Sequence, residues 1–246
     1  MRITCWNIRA GGGRRAREIA EQIEAWRPDV LALCEFRATE PSRALAAQLF
    51  ASGWTHQRTT ADANQPNINA ILIASKYPLR TVRLRRASEQ PHRWLHVNVA
   101  APQALAVLAV HVPNRAFGCK VPFLGAVTDA VKVWRGPQAL VLGDTNSGRI
   151  GIDEETPTFN AIEDAWMAGM EDLGWRDAFR RVHAKSREFT WYSPNGRNGF
   201  RIDQAFLNPQ LAARLTGAAH HWGRAGRGRH DQLSDHAALV LDLDLS

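Results

Sequence analysis

Gln232-Leu233-Ser234-Asp235-His236-Ala237-Ala238-Leu239-Val240 sets an Asp-His pair at the threshold of an apolar run, and Phe200-Arg201-Ile202-Asp203-Gln204-Ala205-Phe206 sets another acid inside an earlier one. A histidine becomes a general base when a carboxylate holds one ring nitrogen and the other stays open toward substrate. Asp203 is the candidate orienter and His236 the candidate base. The same layout recurs upstream: Asn7 closes Ile3-Thr4-Cys5-Trp6, Glu35 closes Val30-Leu31-Ala32-Leu33-Cys34, and His111 closes Leu105-Ala106-Val107-Leu108-Ala109-Val110. Asp144 and Asn146 follow Leu140-Val141-Leu142-Gly143. One polar residue after an apolar run marks only where a strand meets water. Acids, amides and histidines at run end after run end point instead to strand ends that converge.

Between these runs the pattern alternates. Strands are predicted over 2–8, 30–35, 68–75, 80–86, 93–100, 104–112, 138–143, 188–192, 201–207 and 236–243, with helices over 14–27, 41–51, 120–134 and 158–173. Ile19, Ile23 and Trp26 share one face of the first helix. Strands outnumber helices and consecutive strands are often joined by short turns, so mixed sheets with helices packed outside fit better than an all-parallel sheet. No linker, repeat or shift of composition divides the 246 residues, which suits a single domain over 1–246.

Composition narrows the partners. Lys and Arg outnumber Asp and Glu 31 to 24, for a net charge of +7 and a pI near 10.0. Several acids belong to the candidate site, so the remaining surface is more basic still, and a polyanion is the natural ligand. Arg14 and Arg15, with Arg17, follow Gly11-Gly12-Gly13, and Arg224, Arg227 and Arg229 precede the Asp-His pair. Both clusters flank candidate strand ends, where positive charge positions phosphates; the alternative is a solvated basic surface. Apolar runs fall short of a membrane span, and the first strand begins without a secretory leader, so a soluble, cytoplasmic protein is expected. The cysteine count, 3, provides no disulfide framework. Period-2 alternation turns Cys34 away from the face of Glu35 while Cys5 shares the face of Asn7, so Cys5 and Cys34 are expected not to pair even if their strands are adjacent. Trp26, Trp94 and Trp134 are expected in the core. His220-His221, with no partner spacing for a metal, is expected at the surface.

These motifs, in this order, resemble the endonuclease/exonuclease/phosphatase superfamily, the deoxyribonuclease I and exonuclease III group, over nearly the whole chain. Asn7 matches the Asn of the family's first strand and Glu35 its metal-binding Glu. Gly143-Asp144-Thr145-Asn146 matches Gly-Asp-x-Asn, Arg201-Ile202-Asp203 the Arg-Ile-Asp element, and Ser234-Asp235-His236 the terminal Ser-Asp-His. The resemblance implies a four-layer α/β/β/α sandwich of two packed mixed sheets with outer helices.

The chemistry open to such residues is phosphodiester hydrolysis. Glu35 is a hard oxygen ligand for Mg²⁺, with Mn²⁺ as the alternative cation; Asn7 would steady the ligand set and Asp235 add charge. Asp144 and His236 compete to activate the water, with His236 on Asp203 favoured and Asp144 aligning the water. Asn146 would donate to the phosphate oxygens, and His111 would donate to phosphate or protonate the leaving oxygen. His111 is a departure: abasic-site endonucleases of this resemblance carry Tyr there, whereas deoxyribonuclease I, the tyrosyl-DNA phosphodiesterases and the sphingomyelinases carry His. Asn114, in His111-Val112-Pro113-Asn114, keeps the abasic-endonuclease pattern. Trp191, Phe200 and Ile202 match the pocket that receives an abasic nucleotide, though aromatic residues in strands are ordinarily packing.

The expected function is therefore a Mg²⁺-dependent DNA phosphodiesterase, most like exonuclease III or an abasic-site endonuclease of DNA repair, acting as a monomer and not at membranes. A non-specific deoxyribonuclease or a tyrosyl-DNA phosphodiesterase stands close behind. Phosphoinositide or sphingolipid hydrolysis and a silent nucleic-acid-binding module are further alternatives, opposed by the basic surface and by the filled catalytic positions.

Overall fold

The computed structural model describes residues 1–83, 88–134, 136, 138–195, 198–223 and 233–245. The Arg224, Arg227 and Arg229 cluster and the end of the strand expected over 80–86 lie outside the described residues.

Two six-stranded mixed sheets stack face to face. The first contains β1 (Arg2–Asn7), β2 (Val30–Phe36), β3 (His56–Thr59), β4 (Ala70–Ser75), β13 (Leu215–His221) and β14 (Ala238–Leu243), in the order β13-β14-β1-β2-β4-β3. The second contains β5 (Leu79–Thr81), β6 (Trp94–Val99), β7 (Leu105–His111), β8 (Ala139–Asp144), β9 (Arg176–Asp177) and β12 (Asp203–Leu207), in the order β5-β6-β7-β8-β12-β9. One neighbouring pair in each sheet is parallel, β1 with β2 and β7 with β8. A separate ribbon joins β10 (Trp191–Tyr192) to β11 (Gly199–Phe200).

Period-2 alternation divides every central strand between two layers. Ile3, Val30, Ala32, Ile73, Val107, Ala109, Leu140, Leu142, Ala205 and Leu241 face the layer between the sheets. The opposite faces are covered by helices. Trp6, Leu31 and Leu33 meet α1 (Ala16–Trp26) and α2 (Glu40–Ala51) through Ile19, Ile23, Leu45 and Leu49. Leu108, Val110 and Val141 meet α3 (Lys120–Lys132) and α4 (Ala161–Asp172) through Phe123, Val127, Met167 and Met170. Each fully buried Leu or Ile contributes roughly 1.5–3 kcal/mol, so these layers outweigh any exposed ion pair at about 0–1 kcal/mol. The result is the expected four-layer α/β/β/α sandwich.

Expected elements shift where local chemistry intervenes. The helix expected from 158 starts at Ala161, because Asn160 caps it: its side chain accepts from Ile162 and Glu163 amides, and Glu163 returns a bond to the Asn160 amide. The first helix is preceded by a 3-10 turn over Gly13–Arg15. The strand expected over 188–192 is only Trp191–Tyr192. Unexpected from the sequence are β3, β9, β13, α5 (Ala178–Val182) and α6 (Pro209–Ala212). β13 is the edge of its sheet and its Leu-Thr-Gly-Ala-Ala-His-His lacks the large apolar alternation of a central strand.

Cys5 and Cys34 do not pair, as expected, but the alternation behind that expectation fails. Both lie in the inter-sheet layer as free thiols. Asn7 pairs with Cys34 across the parallel ladder, so Cys5, Asn7 and Cys34 share a face. Glu35 is the residue that leaves the alternation. Its φ of 58° and the register shift between Cys34 and Phe36 form a bulge, after which Phe36 rejoins the helix-covered face. His220 also departs from the expected surface placement, since its ring packs on Phe179 with centroids 4.4 Å apart and Nδ1 lies 3.3 Å from Glu188. His221 is exposed as expected.

Candidate active site

Three strand ends form a single rung. In the parallel ladder His111 pairs with Asp144, and in the antiparallel ladder Asp144 pairs with Asp203. Residues distant in sequence thus become neighbours in the order His111, Asp144, Asp203. The approach depends on Gly143: with φ of 151°, a Cβ there would sit 1.7 Å from the Val110 carbonyl oxygen. That glycine lets β7 and β8 close up directly below the rung.

The other sheet brings His236. The Trp6 indole N–H donates to its carbonyl at 2.9 Å, and Ser234 Oγ donates to the Asn7 carbonyl at 2.5 Å while accepting from the His236 amide at 3.3 Å. So fixed, the ring donates from Nδ1 to Asp203 Oδ2 at 2.9 Å. Nε2 stands 4.0 Å from Asp144 Oδ2, with His111 Nε2 3.6 Å from the same oxygen. Asn7 bridges the sheets: its Nδ2 donates to Asp144 at 3.0 Å and reaches Glu35 Oε1 at 3.5 Å. The structure therefore gathers Asn7, Glu35, His111, Asp144, Asn146, Asp203 and His236 at one end of the sandwich.

Burial divides these groups by charge. Burial alone would lower the His236 imidazolium, but the charge and hydrogen bond of Asp203, with Asp144 and Asp235 beyond, push it up to about 10. Burial, with the repulsion of Asp203, raises Asp144 to about 7 against the pull of His236 and the hydrogen bonds from Asn146 and Asn7. His111 is moved well below the ordinary imidazole value by burial and then by Arg93 and His236. At neutral pH His236 is a cation, His111 is neutral, and Asp144 is poised between its two states.

Glu35 is held by the Ala10 amide, which donates to Oε2 at 2.7 Å. Asp235 is partly exposed, 3.8 Å from Arg9 Nε. Asn7 Oδ1 accepts from the Arg9 amide at 3.0 Å. Among the described residues no group of three His, Cys, Asp or Glu side chains is arranged to hold a metal by itself. A single half-exposed carboxylate at the mouth of an acidic site suits a hard cation that keeps most of its waters and shares the substrate's oxygens.

Beside the rung lies a pocket of about 130 Å³ lined by Asn114, Asn146, Phe159, Trp191, Phe200 and Ile202, among others. Phe200 and Ile202 are buried, and Phe200 meets Phe159 edge-on at 5.4 Å. Trp191 is half-buried and tilts toward His236 with centroids 6.2 Å apart. Asn114 is exposed and caps the following 3-10 turn by accepting from the Ala116 amide. Arg14 is exposed, whereas the Arg15 guanidinium donates to the carbonyls of Leu233, Ile8 and Arg9 and ties the loop after β1 to the segment before His236.

Sequence reasoning missed Arg93, which donates to the His111 carbonyl at 3.4 Å and whose charge is felt by Asp144 and Glu35. Arg93 precedes a strand, but β6 runs antiparallel to β7 with Trp94 opposite Val110, so the start of β6 lies at the active end. Arg201, seen only as a motif letter, is fully buried and held by Asp153 and Asp177 at 2.8 and 2.7 Å.

The sequence matches the Endonuclease/Exonuclease/phosphatase family over residues 4–236. The chain belongs to that family. As a member it is a hydrolase acting on phosphate-ester bonds. Three solved structures show the same fold. An AP endonuclease from Archaeoglobus fulgidus is 20% identical, covers 100% of each chain and has a TM-score of 0.84. NExo, a 3′ phosphatase from Neisseria bound to a product DNA hairpin, is 23% identical, covers 99% of each chain and has a TM-score of 0.81. NExo described as a 3′-5′ exonuclease from Neisseria meningitidis is 24% identical, covers 99% of this chain and 100% of its own, and has a TM-score of 0.80. No curated protein matches the sequence.

Proposed function

We propose that this family member is a Mg²⁺-dependent DNA phosphodiesterase of repair, incising at abasic sites. The carrying observation is the pocket of about 130 Å³ adjoining the catalytic rung. It falls well below the ~300–1,000 Å³ usual for ligand sites, suits a sugar without a base, and offers the apolar side chains of Phe159, Trp191, Phe200 and Ile202 to such a flipped sugar alongside the polar Asn114, Arg115, Lys120, Asn146 and Glu163. Support comes also from the net charge of +7, from Asn114 lining the pocket, from exposed Arg14, and from the DNA-processing structures that share the fold.

Glu35 would hold Mg²⁺, or Mn²⁺, with Asn7 steadying the carboxylate and Asp235 adding negative charge nearby. The bound cation supplies charge neutralisation at the phosphate and at the leaving oxygen. Asp144, near neutrality, is matched to accept the proton of the attacking water. This assignment replaces the expectation that His236 takes it: an imidazolium held by Asp203 is suited instead to face the negative charge that grows on the phosphate. Asn146 donates an amide N–H to the same oxygens, and His111 contributes a neutral N–H. We place the protein in the cytoplasm, a reading that the free thiols support, and take it to act as a single-domain monomer. Among the described residues no helix is long and apolar enough to cross a membrane.

Four DNA duplexes test the reading in Mg²⁺ and in EDTA: one abasic, one nicked, one intact, and one ending in a 5′-tyrosyl group. Preferential, chelator-sensitive incision at the abasic site is expected. Equal cutting of intact duplex would transfer the assignment to a non-specific nuclease, the reading that His111 favours.

A further inference from the structure

Asn146 is held in an unusual backbone state. Its φ is 46°, left-handed for a residue with a side chain, and such a conformation persists only where the surroundings determine it. Three bonds do so. The Asn146 amide donates to Asp144 Oδ1 at 3.0 Å, its side-chain Nδ2 donates to the Val112 carbonyl at 2.8 Å, and its own carbonyl accepts from Lys120 Nζ. Lys120 is 5% exposed and lines the pocket beside Asn146. Its ammonium also donates to Glu163, which is 1% exposed. Glu163 in turn accepts from Arg115 Nε and Nη2 at 2.9 and 2.6 Å and closes the capping box of α4.

We propose that Lys120, clamped by Glu163, is a positioning residue that fixes the Asn146 peptide and so aims the Asn146 carboxamide at the scissile phosphate. The inference rests on the preceding assignment of Asn146 as a phosphate donor. Two helix starts, those of α3 and α4, are in this way tied to one turn of the active site. Without the ammonium, the carbonyl of a left-handed residue loses its charged partner, and the 146–147 peptide is left to the long 3.4 Å bond from the Ser147 amide to Thr145 Oγ1. Displacement of a reacting group's donor by about 1 Å can cost of order 100-fold in rate.

The test uses the full chain and the duplex that the wild type cleaves fastest. Lys120→Met should lower kcat by about 10–100-fold with KM changed less than about threefold, and Lys120→Arg should recover most of the loss. In an Asn146→Ala background Lys120→Met should add almost nothing, since both substitutions disable one donor. Amide NMR supplies a readout apart from turnover: the side-chain NH₂ signals of Asn146 should move in Lys120→Met and stay near their wild-type positions in Lys120→Arg. Should Lys120→Met not fold, Glu163→Gln, which keeps a neutral acceptor, should show a smaller loss and a smaller displacement of the same signals. A raised KM with unchanged kcat would make Lys120 a substrate contact and overturn the proposal, as would full additivity with Asn146→Ala or unmoved Asn146 signals. If Asn146→Ala keeps wild-type activity, the phosphate assignment fails, and the NMR displacement still decides whether the clamp holds that residue.

Discussion

Asp203→Asn isolates the charge that makes His236 a cation. The substitution is nearly isosteric, and the new amide oxygen can still accept from His236 Nδ1 in place of the carboxylate oxygen now 2.9 Å away. Asp203 Oδ1 is buried with no hydrogen-bond partner among the described residues, so no second bond there is broken. Raising an imidazole from its ordinary 6.5 to about 10 corresponds to roughly 5 kcal/mol in favour of the protonated ring. Burial opposes that value, and Asp203 is the largest of the groups that raise it. With its charge removed, the ring should titrate near or below neutrality. Activity that requires the Asp144 carboxylate and the His236 imidazolium follows a bell in pH, rising near 7 and falling near 10 in the wild type, the limbs belonging to the coupled pair. In Asp203→Asn the alkaline limb should move down by about three pH units, and kcat/KM at pH 8 should fall by about tenfold. Steady-state cleavage from about pH 5.5 to about 10.5 reads both effects. Stability carries the same sign: because the folded-state value is raised, the contribution of His236 is fully present below about 6.5 and disappears as pH rises through about 10. Urea titrations should show the wild type losing its advantage over Asp203→Asn across that window. A variant with the wild-type alkaline limb and kcat/KM within threefold would refute the assignment of His236 as a cation held by Asp203.

Glu35→Gln should raise the Mg²⁺ concentration for half-maximal cleavage by at least about tenfold while leaving the melting temperature within a few degrees, as measured by metal titration and calorimetry. His111→Gln, which keeps an N–H donor, should retain more kcat than His111→Phe; since burial keeps His111 neutral, neither should alter the acid limb of the pH profile. Arg201→Met would remove the shared cation of buried Asp153 and Asp177, leaving Asp153 to Arg180 and Asp177 to backbone amides, and should cost about 3–5 kcal/mol by urea denaturation. Trp191→Ala should open the wall of the pocket beside His236 and reduce the preference for abasic over intact duplex, scored on paired substrates.

The central strands, their outer helices and the rung residues were legible because each large apolar run carries its own period and ends in a side chain that burial would not tolerate without a purpose. His111, Asp144 and Asp203 could be nominated from such endings, although only the ladder registers reveal that they are adjacent. The edge elements were not legible: β13 offers alanines and a glycine in place of an alternating face, and β9 is two residues long. Arg93 was hidden by strand direction, and Lys120 and Glu163 by lying at helix starts, where a charged residue is commonplace. The thiols were misplaced for one reason: alternation was extended through Glu35, where the backbone abandons it.

That bulge separates two duties that a regular strand would couple. Val30 through Cys34 obey the packing of the sandwich, while Glu35 is oriented by its own backbone turn and by the Ala10 amide. Substitutions that repack the interior around β2 can therefore accumulate without rotating the carboxylate. Deleting one residue there would swing it out of the mouth and leave the hydrophobic layers nearly untouched, producing a stable protein that, on the proposed role of Glu35, no longer holds a cation.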